Sequence, residues 1–278
     1  MESSKKDASY TELQSLDEKT QIQQNSPISM LTESPKDTVF STEQFGGHSK
    51  PLDISKPFCD RLRDFEDRIL ENLDKITCPV HLSLGAEWVS EVIAQNIQKS
   101  DWLFSTHRNH GHYLAKGGSE DKLWDEICGL ESGLNQGKHG SQSIYDPSIN
   151  FYASSIVGGS IGVAVGAALA NRGVGGLVVC VFGDAATEQG VFWESVNFCV
   201  LKQLPILFIC ENNGFSIDVP IRERQSSAIW WRVRAFGMRT MNLSAEAFRL
   251  ARQEPIFCEA RTLREGDHCY FPKRSTSL

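Results

Sequence analysis

Between Phe58 and Ile76 the apolar residues Phe58, Leu62, Phe65, Ile69, Leu73 and Ile76 recur at spacings of three and four, with charged side chains between them. That period predicts an amphipathic helix with one face against a core. AEWVSEVIAQNI (86–97) predicts a second helix and DKLWDEICGL (121–130) a third, while the polar, glycine-bearing STHRNHGHYLAKGGSE (105–120) reads as a loop. A second loop, NQGKHGSQSIYDPSINFYASS (135–155), leads into a small-residue helix at 156–171. Then the period changes. GLVVCVF (176–182) is a β-branched apolar run of strand length, VFWESVNFCVLKQ (191–203) is helical, and PILFIC (205–210) is again a strand. Strand, helix, strand in this span is a βαβ crossover, and uninterrupted apolar strands require a parallel sheet with helices on both faces. AIWWRVRAFG (228–237) and SAEAFRLARQE (244–254) predict two more helices, and PIFCEA (255–260) one more strand.

Residues 1–55 are different in kind. They are rich in Ser, Thr, Gln, Lys and Glu and poor in aromatics, so they cannot bury enough surface to offset their ordering entropy. The pattern predicts a disordered tail at 1–55 and an α/β domain at 56–278, a domain that stops ten residues after His268. The tail has no apolar stretch of a signal peptide, and a mitochondrial presequence would be Arg-rich, whereas the first arginine here is Arg61 and acids begin at Glu2. A net charge of -7 argues against a nucleic-acid surface. No apolar run reaches the ~18 residues of a membrane span, since IVGGSIGVAVGAALA is interrupted by glycines. Eight scattered cysteines without a C-x-x-C pair read as reduced thiols in a cytoplasmic compartment.

Ligands of open parallel sheets lie beyond the carboxyl ends of the strands. The first predicted strand of the crossover ends in Gly183 and Asp184, and the second in Glu211, Asn212 and Asn213. An Asp carboxylate and an Asn amide oxygen are hard ligands suited to Mg²⁺. The small Ala185 and Ala186, opening a helical segment, would let backbone N–H groups approach a diphosphate. The plainer reading of Asp184 is a helix N-cap; the pair of asparagines at the next strand end weighs against it. His107, His110 and His112 lack the ligand set of a zinc site and read as loop hydrogen-bonders. The glycines at 158, 159 and 162 lack the spacing of a dinucleotide fingerprint.

Gly183-Asp184-Ala185 followed by Asn212-Asn213 resembles the G-D-G...N-N motif of thiamine-diphosphate enzymes. RNHGHYLAKGG, IVGGSIGVAVGAALA, FGDAATEQGVFWESVNFCVLKQLPILFICENN and EARTLREGDH, in that order over about residues 60–268, are similar to one branch of them. That branch is the alpha subunit of the thiamine-dependent dehydrogenase component of 2-oxo acid and acetoin dehydrogenase complexes. The resemblance implies a thiamine-diphosphate-binding α/β fold. It implies that Asp184, Asn213 and the backbone carbonyl of Phe215 bind Mg²⁺, that Arg108 binds the diphosphate, and that Ala185 and Ala186 lend it backbone N–H groups beside Gly183. Ser155 and Val157 would hold the aminopyrimidine ring, and His268 would be the catalytic histidine, with Arg264 the family's Arg nearby. A 2-oxo acid or acetoin would be decarboxylated or cleaved and the acyl group passed to a lipoyl-bearing acyltransferase. The glutamate that activates the cofactor comes, in that family, from a beta subunit, so an α₂β₂ heterotetramer is implied and the chain alone is expected to be inactive.

The departures from that pattern are specific. Ala185 replaces a glycine, which requires a negative φ. His107 stands where the family carries Tyr, Ser143 where it carries His, Gly266 and Asp267 where it carries His and Gly, and Cys269 at the Ser that regulatory kinases modify. Between Gly237 and Pro255 a stretch typical of the family is missing. Two further readings therefore stand beside the first: a non-catalytic homologue that only binds or assembles, and a thiamine-dependent carboligase of secondary metabolism.

Overall fold

Helix α1, Pro57–Glu71, forms where the three-and-four period places it. The computed structural model describes residues 57–273, so the tail expected at 1–55 lies outside the described residues. Leu62, Phe65 and Ile69 of α1 are buried in the core, and the chain then turns at 72–75 before Ile76 rejoins it. Helix α2 (Glu87–Asn96) follows, then strand β1 (Trp102–Ser105), α3 (His110–Ala115) and α4 (Glu120–Ile127). The short strands β2 (Tyr145–Asp146) and β3 (Phe151–Ala153) precede α5 (Gly159–Ala170). The predicted crossover is β4 (Val178–Gly183), α6 (Gly190–Lys202) and β5 (Ile206–Asn212). A hairpin of β6 (Phe215–Ser216) and β7 (Val219–Pro220) leads to α7 (Ile221–Arg224) and α8 (Ile229–Ala235). Strand β8 (Arg239–Met241), α9 (Ala245–Ala251) and β9 (Ile256–Arg261) complete the order.

Seven of these strands form one sheet, ordered β2-β3-β1-β4-β5-β9-β8, parallel except where β2 pairs with β3. The alternation of β4 divides the core into two layers. Val179 and Val181 pack with α1, α2 and α9 on one face, while Val178, Cys180 and Phe182 pack with α5, α6 and α8 on the other. Strand β5 repeats the pattern, with Leu207 and Ile209 on the first face and Phe208 and Cys210 on the second. Both faces are covered, as uninterrupted apolar strands demand.

Two of the predicted loops hold regular structure. The stretch 105–120 contains the end of β1 and all of α3, and 135–155 contains β2 and β3. Every residue of α3 is buried, including His110 and His112, so it has no polar face and no period to read. Those histidines are hydrogen-bonders, as expected. His110 bridges Glu66 (3.2 Å) and Ser141 (2.7 Å), and His112 bridges Ser105 (2.8 Å) and Glu211 (3.3 Å). The helix expected from 156 begins at Gly159, after a turn whose Gly158 has φ +78 and so suits glycine.

The loop before β2 is held by one side chain. The fully buried Glu126 carboxylate accepts the backbone N–H groups of Asn135 (2.7 Å), Gly137 (2.9 Å), His139 (2.9 Å) and Gly140 (3.1 Å). Replacing it with alanine orphans all four donors at a cost of ~1–3 kcal/mol for each that water cannot reach. Glu126→Ala is therefore expected to lower the unfolding free energy by about 1–3 kcal/mol, read from the urea midpoint, since of the four donor residues only Gly140 is buried.

Candidate functional site

β3 joins one side of β1 and β4 the other, which makes the carboxyl ends of β1 and β4 a topological switch point. Over these ends and those of β5 and β9 lies a cavity of about 220 Å³. Its walls bring together residues far apart in the chain: Arg108, Asp184, Asn213 and His268 all line it.

Asp184 follows β4 at the head of a single 3-10 turn, Asp184–Glu188. It does not cap that turn, whose cap position is Gly183, nor α6, whose cap position is Gln189. The helix-cap reading therefore fails, and the carboxylate faces the cavity instead. It is 1% exposed and ion-paired at 2.5 Å to Arg224, which also pairs with Glu188. Burial raises the Asp184 pKa above the ordinary value, although the Arg224 hydrogen bond and charge oppose that shift. A guanidinium thus sits where a metal cation would have to approach.

The register of β4 and β5 pairs Gly183 with Glu211, so Asn212 and Asn213 emerge beside Asp184. Asn212 serves the fold: its amide donates to Glu259 (2.6 Å) and its oxygen accepts from Gly214 N–H (2.9 Å). The Asn213 oxygen accepts from Phe215 N–H at 2.9 Å, which fixes its orientation beside the cavity. Phe215, the third expected metal ligand through its carbonyl, also lines the cavity. The hairpin that follows turns on Ile217, a β-branched residue at φ +51. Backbone strain of this kind gathers at functional sites.

Ala185 is not among the residues with positive φ, so its methyl carries no backbone penalty. It and Ala186 line the cavity with Gly183. The first N–H groups of a helical turn have no partner within it and are available to an anion.

Arg108 follows β1 and lies within the cavity wall. Its guanidinium donates to the backbone carbonyls of Leu82 and, at 3.3 Å, His268. Among the described residues no carboxylate lies within ion-pair distance of it. Burial lowers its pKa, opposed by the more distant charges of Glu211 and Glu66. Arg108 is half-buried, and a partly desolvated cation without a directly paired anion is costly; the cavity offers room for a mobile anion to supply that pairing.

The remaining expected residues divide. His268 and Val157 line the cavity, whereas Ser155 is exposed and does not. His268 is held below its usual pKa by burial, Arg108 and Arg264, and so stays neutral and able to accept a proton. His107 departs from the loop hydrogen-bonding read for it: it stands edge-on to His81, 4.5 Å between ring centres, and lines the cavity. The sequence reading missed His81, Arg224 and Ile217. Nothing in their local pattern marks them, because each reaches the site only through the packing of distant elements.

The sequence profile of the family described as "Dehydrogenase E1 component" matches residues 59–269. The alpha subunit of acetoin:2,6-dichlorophenolindophenol oxidoreductase from Bacillus subtilis (strain 168) is 38% identical over 164 residues, 57% of this chain and 49% of that one. The pyruvate dehydrogenase E1 component subunit alpha of Porphyra purpurea is 32% identical over 233 residues, 74% of this chain and 67% of that one. The chain thus spans about half the length of the acetoin relative. Among solved structures, transketolase from Campylobacter jejuni superposes with a TM-score of 0.57 at 16% identity, covering 74% of this chain and 37% of that one, a likeness of fold.

Proposed function

The chain belongs to the dehydrogenase E1 component family, and from that premise we propose that it is the alpha subunit of a thiamine-diphosphate-dependent dehydrogenase acting on a 2-oxo acid or acetoin. The observation that carries the reading is a cation, Arg108, and a buried carboxylate, Asp184, that line one cavity. Among the described residues Arg108 lacks a carboxylate partner, and the buried Asp184 carboxylate is paired with Arg224. An Mg²⁺-diphosphate supplies what each requires, a phosphate oxygen for the first and a metal for the second.

Asp184, Asn213 and the Phe215 carbonyl would hold the metal, which must displace Arg224 from Asp184. Arg108 and the backbone N–H groups of Ala185 and Ala186 would hold the diphosphate, with Val157 and Ser155 beside the aminopyrimidine. When bound, thiamine diphosphate supplies the electron sink for breaking a bond to a carbonyl carbon. The protein's part is placement and proton handling. His268, neutral and at the cavity wall, is positioned to accept or return a proton at its ring nitrogen.

The α5 surface supports a partner subunit. Gly162, Val163, Gly166 and Leu169 recur on one exposed face, and a Cβ added at Gly166 would meet nothing of this chain within 4 Å. Ile156 and Val157, 69% and 46% exposed, extend that apolar surface to the cavity mouth. A beta subunit laid there would cover it and bring the missing glutamate, giving an α₂β₂ heterotetramer that hands its acyl group to a lipoyl-bearing acyltransferase. The free thiols of all eight cysteines suit a reducing compartment such as the cytoplasm. Among the described residues no helix is long and apolar enough to cross a membrane.

The test is reconstitution. With Mg²⁺, thiamine diphosphate and an artificial electron acceptor, the chain alone is expected to show no turnover of pyruvate, longer 2-oxo acids or acetoin, and the chain with a beta subunit of the family is expected to turn over one of them. Robust turnover without the partner, or none from the assembled complex on any of these substrates, would overturn the reading.

A further inference from the structure

We propose that His81, His107 and His268 form a three-imidazole site for a borderline divalent cation of the Zn²⁺ class. The three come from separate parts of the chain: the segment between α1 and α2, the loop after β1, and the segment after β9. Each offers one ring nitrogen, and the three nitrogens lie within 4.8 Å of one another. The ring centres are 4.5, 4.9 and 6.1 Å apart. Around a tetrahedral ion bound at about 2.0–2.1 Å to each nitrogen, ring centres stand roughly 5 Å from one another. The observed spacings bracket that value, and the nitrogens, within 4.8 Å of one another, would close to about 3.4 Å around the ion.

His81 supplies an independent sign of a missing ligand. It is 7% exposed, and its Nδ1 has no hydrogen-bond partner. A buried polar nitrogen left unmatched is costly, and a metal at the centre of the triad would satisfy it. The protonation state agrees with the geometry. Burial, with the neighbouring His107 and Arg108, lowers His81 to about 3, and burial with Arg108 lowers His107 to about 4. With His268 also lowered, all three rings are neutral at physiological pH, the form that ligates.

The ligand set selects the metal. Three nitrogens and no oxygen suit Zn²⁺, Co²⁺ or Ni²⁺ and not Mg²⁺, which takes oxygen ligands. The site therefore does not compete with the one at Asp184. Arg108 stands close by, and its charge opposes a cation, so the affinity is expected to fall short of a thiolate zinc site. His107 and His268 line the cavity, which leaves the fourth coordination position open to water or an anion there. A bound ion would tie the His268 segment to the loops of His81 and His107 and, by engaging the His268 lone pair, would block the proton handling proposed for it.

The inference stands on the triad's geometry and not on the proposed function, and its test reads metal binding alone. The full chain, without an affinity tag and stripped with a chelator, is titrated with Zn²⁺ by calorimetry and with Co²⁺ by visible absorption. Expected are one equivalent of Zn²⁺ and the intense absorption of four-coordinate Co²⁺. Affinity should fall at least ~10-fold in both His107→Phe and His268→Gln, since each removes one of three ligands. It should not change in His139→Ala, an exposed histidine outside the triad. If His107→Phe fails to fold by circular dichroism, His268→Gln carries the comparison. No stoichiometric Zn²⁺ uptake, a six-coordinate Co²⁺ spectrum, or wild-type affinity in a folded triad variant would overturn the proposal.

Discussion

Asp184→Ala is expected to weaken Mg²⁺-dependent thiamine diphosphate binding by ~100-fold or more, the loss that follows when one member of a buried charge pair is truncated. The reasoning runs from burial to ligand. The carboxylate is 1% exposed and lies at the cavity wall at the end of β4. Arg224 keeps its second partner, Glu188, when Asp184 is lost, and the strand residues before it are untouched. The variant should therefore fold, with a far-ultraviolet circular dichroism spectrum like that of the parent. Binding measured by calorimetry in the assembled complex separates a lost ligand from a lost fold. Affinity within threefold of the parent would remove Asp184 from the metal site.

Arg108→Ala is expected to reduce diphosphate affinity by a similar ~100-fold, because a charge-assisted hydrogen bond to phosphate in a water-poor site is lost. The stability effect should run differently. Arg108 is a half-buried charge without a paired carboxylate among the described residues, so its removal relieves partial desolvation while giving up the bonds to the Leu82 and His268 carbonyls. The cofactor-free variant is expected to melt within a few degrees of the parent, and the cofactor to stabilise the parent far more than the variant. Arg108→Lys should recover little, since a compact ammonium lacks the planar fork. A variant that lost stability heavily while keeping cofactor affinity would make Arg108 a structural tie between loops.

What was legible in the chain before its structure follows from how locally each feature is determined. Strands β4 and β5 are fully covered, so they appear as uninterrupted apolar runs, and the polar residues that end them mark the site. The adjacency of Asp184 and Asn213 could be read because one crossover connects their strands and the register pairs Gly183 with Glu211. Strand β1 is only Trp102–Ser105, too short to show a period beside the polar loop that follows. Helix α3 hid for the opposite reason: its polar histidines point inward to Glu66, Ser141, Ser105 and Glu211, so burial and polarity coincide. His81 lies in an unremarkable segment and meets His107 and His268 only when α1, β1 and β9 have packed. Arg224 likewise reaches Asp184 across forty positions of chain. Ser155 shows the converse, a position aligned by motif that is exposed and does not line the cavity.

The central claim, that the Arg108–Asp184 cavity holds a metal diphosphate, is tested most directly by calorimetric titration of thiamine diphosphate into the full chain assembled with a beta subunit. The titration is run in Mg²⁺, in EDTA, and again with unphosphorylated thiamine. Saturable binding of one thiamine diphosphate per chain is predicted in Mg²⁺, with loss of that binding in EDTA and none for thiamine. Equal affinity for thiamine, indifference to EDTA, or no binding in Mg²⁺ would contradict it.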